Sequence, residues 1–360
     1  MNSPAAEALG IAVAARVPVL LWGAPGTGKT SAIRAMAEVM GLPCETVIAS
    51  IREPSDFAGL PVVTGDSVRF APPLWAIRLA GAGTGVLFLD ELSTAPPAVQ
   101  AALLRVVLER TVGDLALPAD VAVVAAANPP EQAADGWDLS APLANRLCHL
   151  TWEATAASVA DGLAGGWAPP VVPLLPDGWE AGEVAMKGIV AAFLRVRPAL
   201  AIAPPDSAAA AGRGWPSPRT WEMTARLLTA AGQADASLDA RSALVRGAVG
   251  DGAGTELLSW LTEMDLPDPE EVLADPGKFQ LPERGDRAYA AVASVAAAVA
   301  ARPTPERWLA GWRVLGQCPQ ADVAAVAARV LAKCRPDGVT RMPPEIALFA
   351  PLLRDAGLLG

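Results

Sequence analysis

Two short stretches carry residues whose types and spacing suit phosphate chemistry. The first is Gly23-Ala-Pro-Gly-Thr-Gly-Lys-Thr30, directly after the apolar run Val19-Leu-Leu-Trp22. A glycine, four residues, then Gly-Lys-Thr is the pattern of a loop whose backbone N–H groups close around phosphate oxygens. Glycines at 23, 26 and 28 keep Cβ atoms out of that cradle. Helical patterning follows from Ser31 to Met40, so a helix dipole and its free N–H groups point at the same anion. Lys29 supplies a point charge for β- and γ-phosphates, and the Thr30 hydroxyl is placed to ligate Mg²⁺. The second stretch is Gly85-Val-Leu-Phe-Leu-Asp-Glu91. Its two carboxylates end a buried strand, where open α/β sheets bind their ligands. Asp90 would orient the Mg²⁺ shell, and Glu91 would position or deprotonate an attacking water. Such an Asp-Glu pair is a weak signal alone and a strong one downstream of a phosphate loop.

Other polar residues leave more than one reading open. Asn128 ends the apolar run 121–127 and precedes two prolines. Its amide could hydrogen-bond a water or a γ-phosphate oxygen, or simply form a turn. Arg146 stands just before a strand-like segment, either as a solvated charge or as a finger reaching a neighbour's nucleotide. The single histidine, His149, lies in strand-like 147–152 and reads as a packed structural residue. With one histidine, His-rich zinc sites are excluded. The four cysteines form no C-x-x-C pair and read as buried thiols in a reducing compartment.

The elements that must position these residues follow from periodicity. A helix over 4–17 leads into the first strand at 18–22, and further strands are expected at 44–50, 85–90, 121–127 and 147–152. Their alternation with helices predicts a parallel sheet covered on both faces. Residues 52–59 read as a loop. Leu60–Val63 and Val68–Phe70 flank Thr64-Gly-Asp-Ser67 as a hairpin, either an ordinary surface feature or a working loop. A second hairpin is expected at 111–117. Pro and Gly then cluster at 165–182 and 198–218, and helical patterns dominate. Ser217 suits an N-cap and Pro218 a first helical position, so Arg219 projects from a helix start above the inward-facing Trp221, Ala225 and Leu228. Residues 265–286 read as a connecting segment. Trp308, Trp312 and Leu315, and then Val323, Val326 and Val330, read as core stripes of two later helices.

Composition agrees with a cytoplasmic α/β protein. The chain has 360 residues, enough for about two domains. Hydrophobic residues make up 52% and charged residues 18%, below the usual ~25%, and much of the excess is alanine. No run approaches the ~18 strongly apolar residues a membrane span needs, and the N-terminus lacks a basic n-region. A net charge of −10 disfavours nucleic acid as a partner.

Taken in order, Trp22-Gly-Ala-Pro-Gly-Thr-Gly-Lys-Thr30, Phe88-Leu-Asp-Glu-Leu-Ser-Thr-Ala-Pro-Pro97, Ala127-Asn-Pro-Pro130, Ala144-Asn-Arg-Leu147 and Ser217-Pro-Arg-Thr-Trp221 resemble the motifs of an AAA+ ATPase. More narrowly they resemble the MoxR family, in the clade with inserted hairpins. The resemblance spans residues 10–230. It implies an α/β P-loop core with a five-stranded parallel sheet flanked by helices (1–155), a linker and helical lid (156–264) and a helical C-terminal region (265–360). It implies ATP held by Gly23, Ala24, Pro25, Gly26, Thr27, Gly28, Lys29, Thr30 and Ser31, with Mg²⁺ at Thr30 and Asp90. Glu91 would act on water, Asn128 would match sensor 1, Arg146 the trans-acting arginine finger and Arg219 sensor 2. The implied activity is ATP hydrolysis by a homo-hexameric ring that remodels partner proteins, often ones with von Willebrand factor A domains. Two alternatives are a nucleotide-gated assembly scaffold with little turnover and a nucleic-acid motor of the same clade. Two departures stand out: Ala24 where relatives commonly have Pro, and a short first hairpin without aromatic residues at its tip.

Overall fold

The computed structural model describes residues 3–129, 132, 137–167, 170, 172–318, 321–339 and 342–359. Pro130, part of the Asn-Pro-Pro turn, lies outside them. The chain divides into two compact units, Met1–Leu175 with Ile202–Thr255, and Pro176–Ala201 with Glu256–Gly360.

In the first unit, strands β1 (Val19–Trp22), β2 (Cys44–Ile48), β3 (Leu60–Thr64), β4 (Ser67–Ala71), β5 (Thr84–Asp90), β6 (Thr111–Val112), β7 (Leu115–Ala116), β8 (Asp120–Ala127) and β9 (Cys148–Thr151) follow one another. Five of them form one sheet in the order β2-β5-β8-β1-β9, every neighbouring pair parallel. The central strands are buried almost throughout, as expected where helices cover both faces of a parallel sheet. Register places Ile48 beside Asp90, Leu89 beside Ala125, and Trp22 between Ala127 and Thr151. The carboxyl ends of these strands therefore share one edge, and the loop from Gly23, the Asp90-Glu91 pair, Asn128 and Trp152 all emerge there.

Both expected hairpins form, and they are fastened together. The Gly113-Asp114 turn between β6 and β7 reaches Phe70 of β4: Asp114 N–H donates to Phe70 O at 3.0 Å, and Phe70 N–H donates to Asp114 Oδ2 at 2.7 Å. Gly113 N–H also donates to Phe57 O at 3.3 Å. Gly59 and Gly113 approach so closely that a Cβ on Gly59 would lie 2.7 Å from the Gly113 Cα. The 52–59 segment holds a one-turn helix, Ser55–Ala58, rather than plain loop, because Phe57 is buried in the core beneath the sheet edge.

Ser217 caps the Pro218–Gln233 helix in a capping box with Thr220, and Trp221, Ala225 and Leu228 face inward as their spacing predicts. The Leu238–Val249 helix packs on that helix, on Pro4–Ala14 and on β9. A Cβ on Gly247 would sit 2.3 Å from His149 O, so helix and edge strand meet backbone to backbone. This contact covers a sheet edge that would otherwise be open.

His149 is a structural residue whose tautomer is dictated by its partners. Trp22 Nε1–H donates to His149 Nδ1 at 2.9 Å, which leaves Nε2–H to donate to Ala144 O at 2.9 Å. Burial pulls its pKa from 6.5 down to about 4, with the Arg213 cation acting in the same direction and the Ala144 bond opposing. The folded value lies below the unfolded one, so the neutral ring's stabilisation is complete above pH ~6.5 and is lost as pH falls towards ~4. It amounts to at most about 3 kcal/mol. The thermal midpoint is expected to decline across that window, and His149→Asn, whose amide oxygen can still accept from Trp22, is expected to flatten the decline. A wild-type curve that is level from pH 6.5 to 4 would remove His149 as a titrating group.

The second unit is helical. Trp308, Trp312 and Leu315 of Pro305–Leu315 are core, as their spacing implies. The valine stripe of the next helix, Ala321–Lys333, is core only in part: Val330 packs against the cluster, Val326 is 37% exposed, and the inward face carries Ala324, Ala327, Ala328 and Leu331. That helix packs along the alanine-rich Gly285–Ala301 helix. The segment 265–286 is also more than a connector. It contains the Pro269–Ala274 helix, whose Glu270 pairs with Arg302 and Arg307. Those hydrogen bonds hold the Glu270 carboxyl down to about 2. All four cysteines are free; Cys148 and Cys318 are buried and the other two partly so. Among the described residues no helix is long and apolar enough to cross a membrane.

Candidate nucleotide site

Three glycines shape the loop after β1, for two structural reasons that add to the clearance a phosphate needs. Gly26 and Gly28 have φ of 78° and 83°, the left-handed region that side chains resist, although nothing crowds either position. Gly23 is needed for close approach, since a Cβ there would come within 2.4 Å of the Trp152 carbonyl oxygen. Gly28 is the N-cap of the Lys29–Val39 helix, and no side chain caps the first N–H groups. Those donors suit an anion.

Lys29, only 8% exposed, is the hub. Its Nζ donates to Gly23 O at 2.6 Å, Ala24 O at 3.0 Å and Asn128 Oδ1 at 3.0 Å. Burial lowers its pKa, and the nearby Asp90 carboxylate opposes that shift. Thr30 Oγ1 donates to Asp90 Oδ2 at 2.9 Å, while Asp90 Oδ1 accepts the Glu91 N–H at 2.9 Å. A hydroxyl and a carboxylate oxygen fit Mg²⁺, which takes hard oxygen ligands and needs only one or two from the protein when phosphates supply others.

Glu91 adopts φ 57°, a left-handed backbone that a non-glycine residue takes only when its surroundings impose it. Its carboxylate accepts a hydrogen bond from the Ser50 hydroxyl, just beyond the end of β2. Asn128 is anchored from behind, its N–H donating to Ser93 Oγ at 3.3 Å.

The two arginines form a second group. Arg146 follows the Ala141–Ala144 turn and donates through Nη1 to Pro142 O, while its Nε has no hydrogen-bond partner. Burial lowers its pKa, and the cation of Arg219 lowers it further, so the two guanidiniums lie near enough to repel. Asn145 explains their proximity. It is 3% exposed, donates through Nδ2 to Trp215 O at 3.1 Å and accepts from Ser217 Oγ at 2.8 Å, which ties the Arg146 turn to the cap of the helix bearing Arg219.

The structure thus joins Lys29, Thr30, Asp90 and Asn128 in one bonded set, holds Glu91 beside them on Ser50, and pairs Arg146 with Arg219. Among the described residues no hydrogen bond links the arginines to the Lys29 set. Sequence reasoning missed Ser50, Ser93, Asn145 and Trp152. Ser93 and Asn145 sit inside quoted motifs and could have been found there; Ser50 and Trp152 carry no local signal.

Residues 18–146 match the family described as "ATPase family associated with various cellular activities (AAA)". Over that stretch the chain is similar to an AAA-type ATPase domain. The match begins one residue before β1 and ends on Arg146, so the matched stretch contains every residue of the Lys29 set. No protein of curated function matches the chain. Among solved structures, the chain is similar to a candidate ATPase from Cytophaga hutchinsonii ATCC 33406, with 17% identity over 67% of this chain and 79% of that one, at a TM-score of 0.41.

Proposed function

We propose that this protein hydrolyses ATP as a MoxR-type AAA+ protein and uses the cycle, in a homo-hexameric ring, to remodel a partner protein of the von Willebrand factor A class. The observation that carries the catalytic reading is the pair of bonds Lys29–Asn128 and Thr30–Asp90, which draw residues from the ends of β5 and β8 onto the loop after β1. Loop N–H groups and the Lys29 ammonium hold the phosphate chain. Mg²⁺, held by Thr30 and Asp90, would neutralise charge on β- and γ-oxygens. Glu91, oriented by Ser50, accepts a proton as the water oxygen bonds to the γ-phosphorus and the bond to ADP breaks. Asn128 orients that water. Arg146 of a neighbouring subunit and Arg219 stabilise the transferring group. Most of the rate then comes from positioning and from fixed charge.

A protein client is supported by the first hairpin. Paired residues share a face, so Pro61, Val63, Val68 and Phe70 form one apolar surface, with Val63 75% and Val68 55% exposed. The Asp114 fastening connects this surface to the segment between the Glu91 and Asn128 strands. The net charge of −10 favours such a client over a polyanion. The test is affinity capture from native lysate by the Glu91→Gln variant in ATP and in ADP. A von Willebrand-type protein is expected to be enriched in ATP, with the ~5- to 150-fold coupling usual between linked sites. Identical captures in both states, or capture dominated by nucleic acid, would refute the remodelling reading.

A further inference from the structure

Trp152, the residue after β9, contacts the phosphate loop at Gly23 and at Thr27. Its N–H donates to Trp22 O at 2.7 Å, and its carbonyl oxygen lies over Gly23. Its indole Nε1–H donates to the Thr27 carbonyl at 3.0 Å. We propose that Trp152 is a positioning residue for nucleotide binding, whose indole N–H holds the Thr27–Gly28 peptide so that the Gly28 N–H faces a phosphate. This inference rests on the nucleotide reading of the loop.

The argument is geometric. A trans peptide is planar, so the Thr27 C=O and the Gly28 N–H point in opposite directions, and holding one aims the other. This peptide is adjacent to two glycines with positive φ, and nothing crowds either of them. A peptide so placed turns easily, and the turned form would present a carbonyl dipole to the anion. Two further loop carbonyls are held by other donors: Lys29 takes those of Gly23 and Ala24, and the Thr27 hydroxyl also donates to Ala24 O at 2.8 Å. Trp152 holds that of Thr27, which leaves the Gly28 N–H on the opposite side of the peptide. The register of Trp22 with Thr151 sets residue 152 level with Gly23. From there only a long side chain with a distal donor reaches residue 27.

The test compares wild type, Trp152→Phe and Lys29→Ala by titration with a fluorescent ADP analogue, alongside steady-state ATP turnover. Trp152→Phe keeps the aromatic packing and removes the donor. It is expected to weaken ADP binding ~2- to 10-fold and to raise KM by the same factor, while kcat at saturation stays within about twofold. Unchanged ADP affinity, or a fall in kcat at unchanged KM, overturns the proposal. If Trp152→Phe does not fold, replacing Trp152 by benzothienylalanine removes only the N–H and is read in the same way. Wild-type protein that binds ADP no better than Lys29→Ala would instead overturn the nucleotide reading itself.

Discussion

Glu91→Gln is expected to retain nucleotide and to lose turnover by ~10²- to 10⁴-fold, the usual worth of a general base. Its amide occupies the same volume and can still meet the Ser50 hydroxyl, but it cannot accept a proton from water. Lys29→Ala is expected to fail earlier. The ammonium is buried, and it is the donor to Gly23, Ala24 and Asn128 at once. Its removal deletes the charge that meets the phosphates and takes the side-chain donor from Gly23 O and Asn128 Oδ1, while Ala24 O keeps the Thr27 hydroxyl. Loss of one partner of a buried charged contact costs about 2–5 kcal/mol, ~30- to several thousand-fold in affinity. Binding of a fluorescent ADP analogue and phosphate release, measured on both variants, separate the two effects. Normal turnover by Glu91→Gln would remove Glu91 from the mechanism.

The second large effect is expected at Arg146. Removing an arginine finger lowers the rate ~10³-fold or more, so Arg146→Ala is expected to be nearly inactive. Mixing Arg146→Ala subunits with Glu91→Gln subunits is expected to restore part of the activity, because each supplies the group the other lacks at a shared interface. The structure adds a second arm to this experiment. Arg219 lies close enough to Arg146 to depress its pKa, and Asn145 binds the Arg146 turn to the cap of the Arg219 helix. If both arginines serve one neighbour's site, Arg219→Ala complements Glu91→Gln in the same mixture. If Arg219 serves its own subunit's site, no site in that mixture carries both groups and no activity is recovered. Absence of recovery with Arg146→Ala at any ratio, in oligomers shown to be mixed, would assign Arg146 a role within its own chain.

The strand, loop and helix of residues 19–39 were legible in the sequence because each step is encoded locally. An apolar run makes a buried strand, glycines permit the left-handed turn, and Lys-Thr opens a helix. The same holds for the Ser217 cap with Pro218, for the buried Trp221, and for both hairpins with their turn residues. Site residues at strand ends were legible for a related reason, since a parallel sheet delivers every strand's carboxyl end to one edge. The order of strands in that sheet has no local signature. Placing β9 next to β1 is what carries the Trp152 indole to Thr27, 125 positions away, and placing β2 next to β5 is what brings Ser50 to Glu91. The Asn145 bond to Ser217 spans 72 positions and needs both the turn and the helix cap already in place. In the second unit, valine spacing suggested a core stripe, but alanines and Leu331 took most of the interface, with Val330 at its margin and Val326 exposed. Periodicity states which residues share a face. Only packing decides which face is inside, because that depends on the width of the gap a second element leaves.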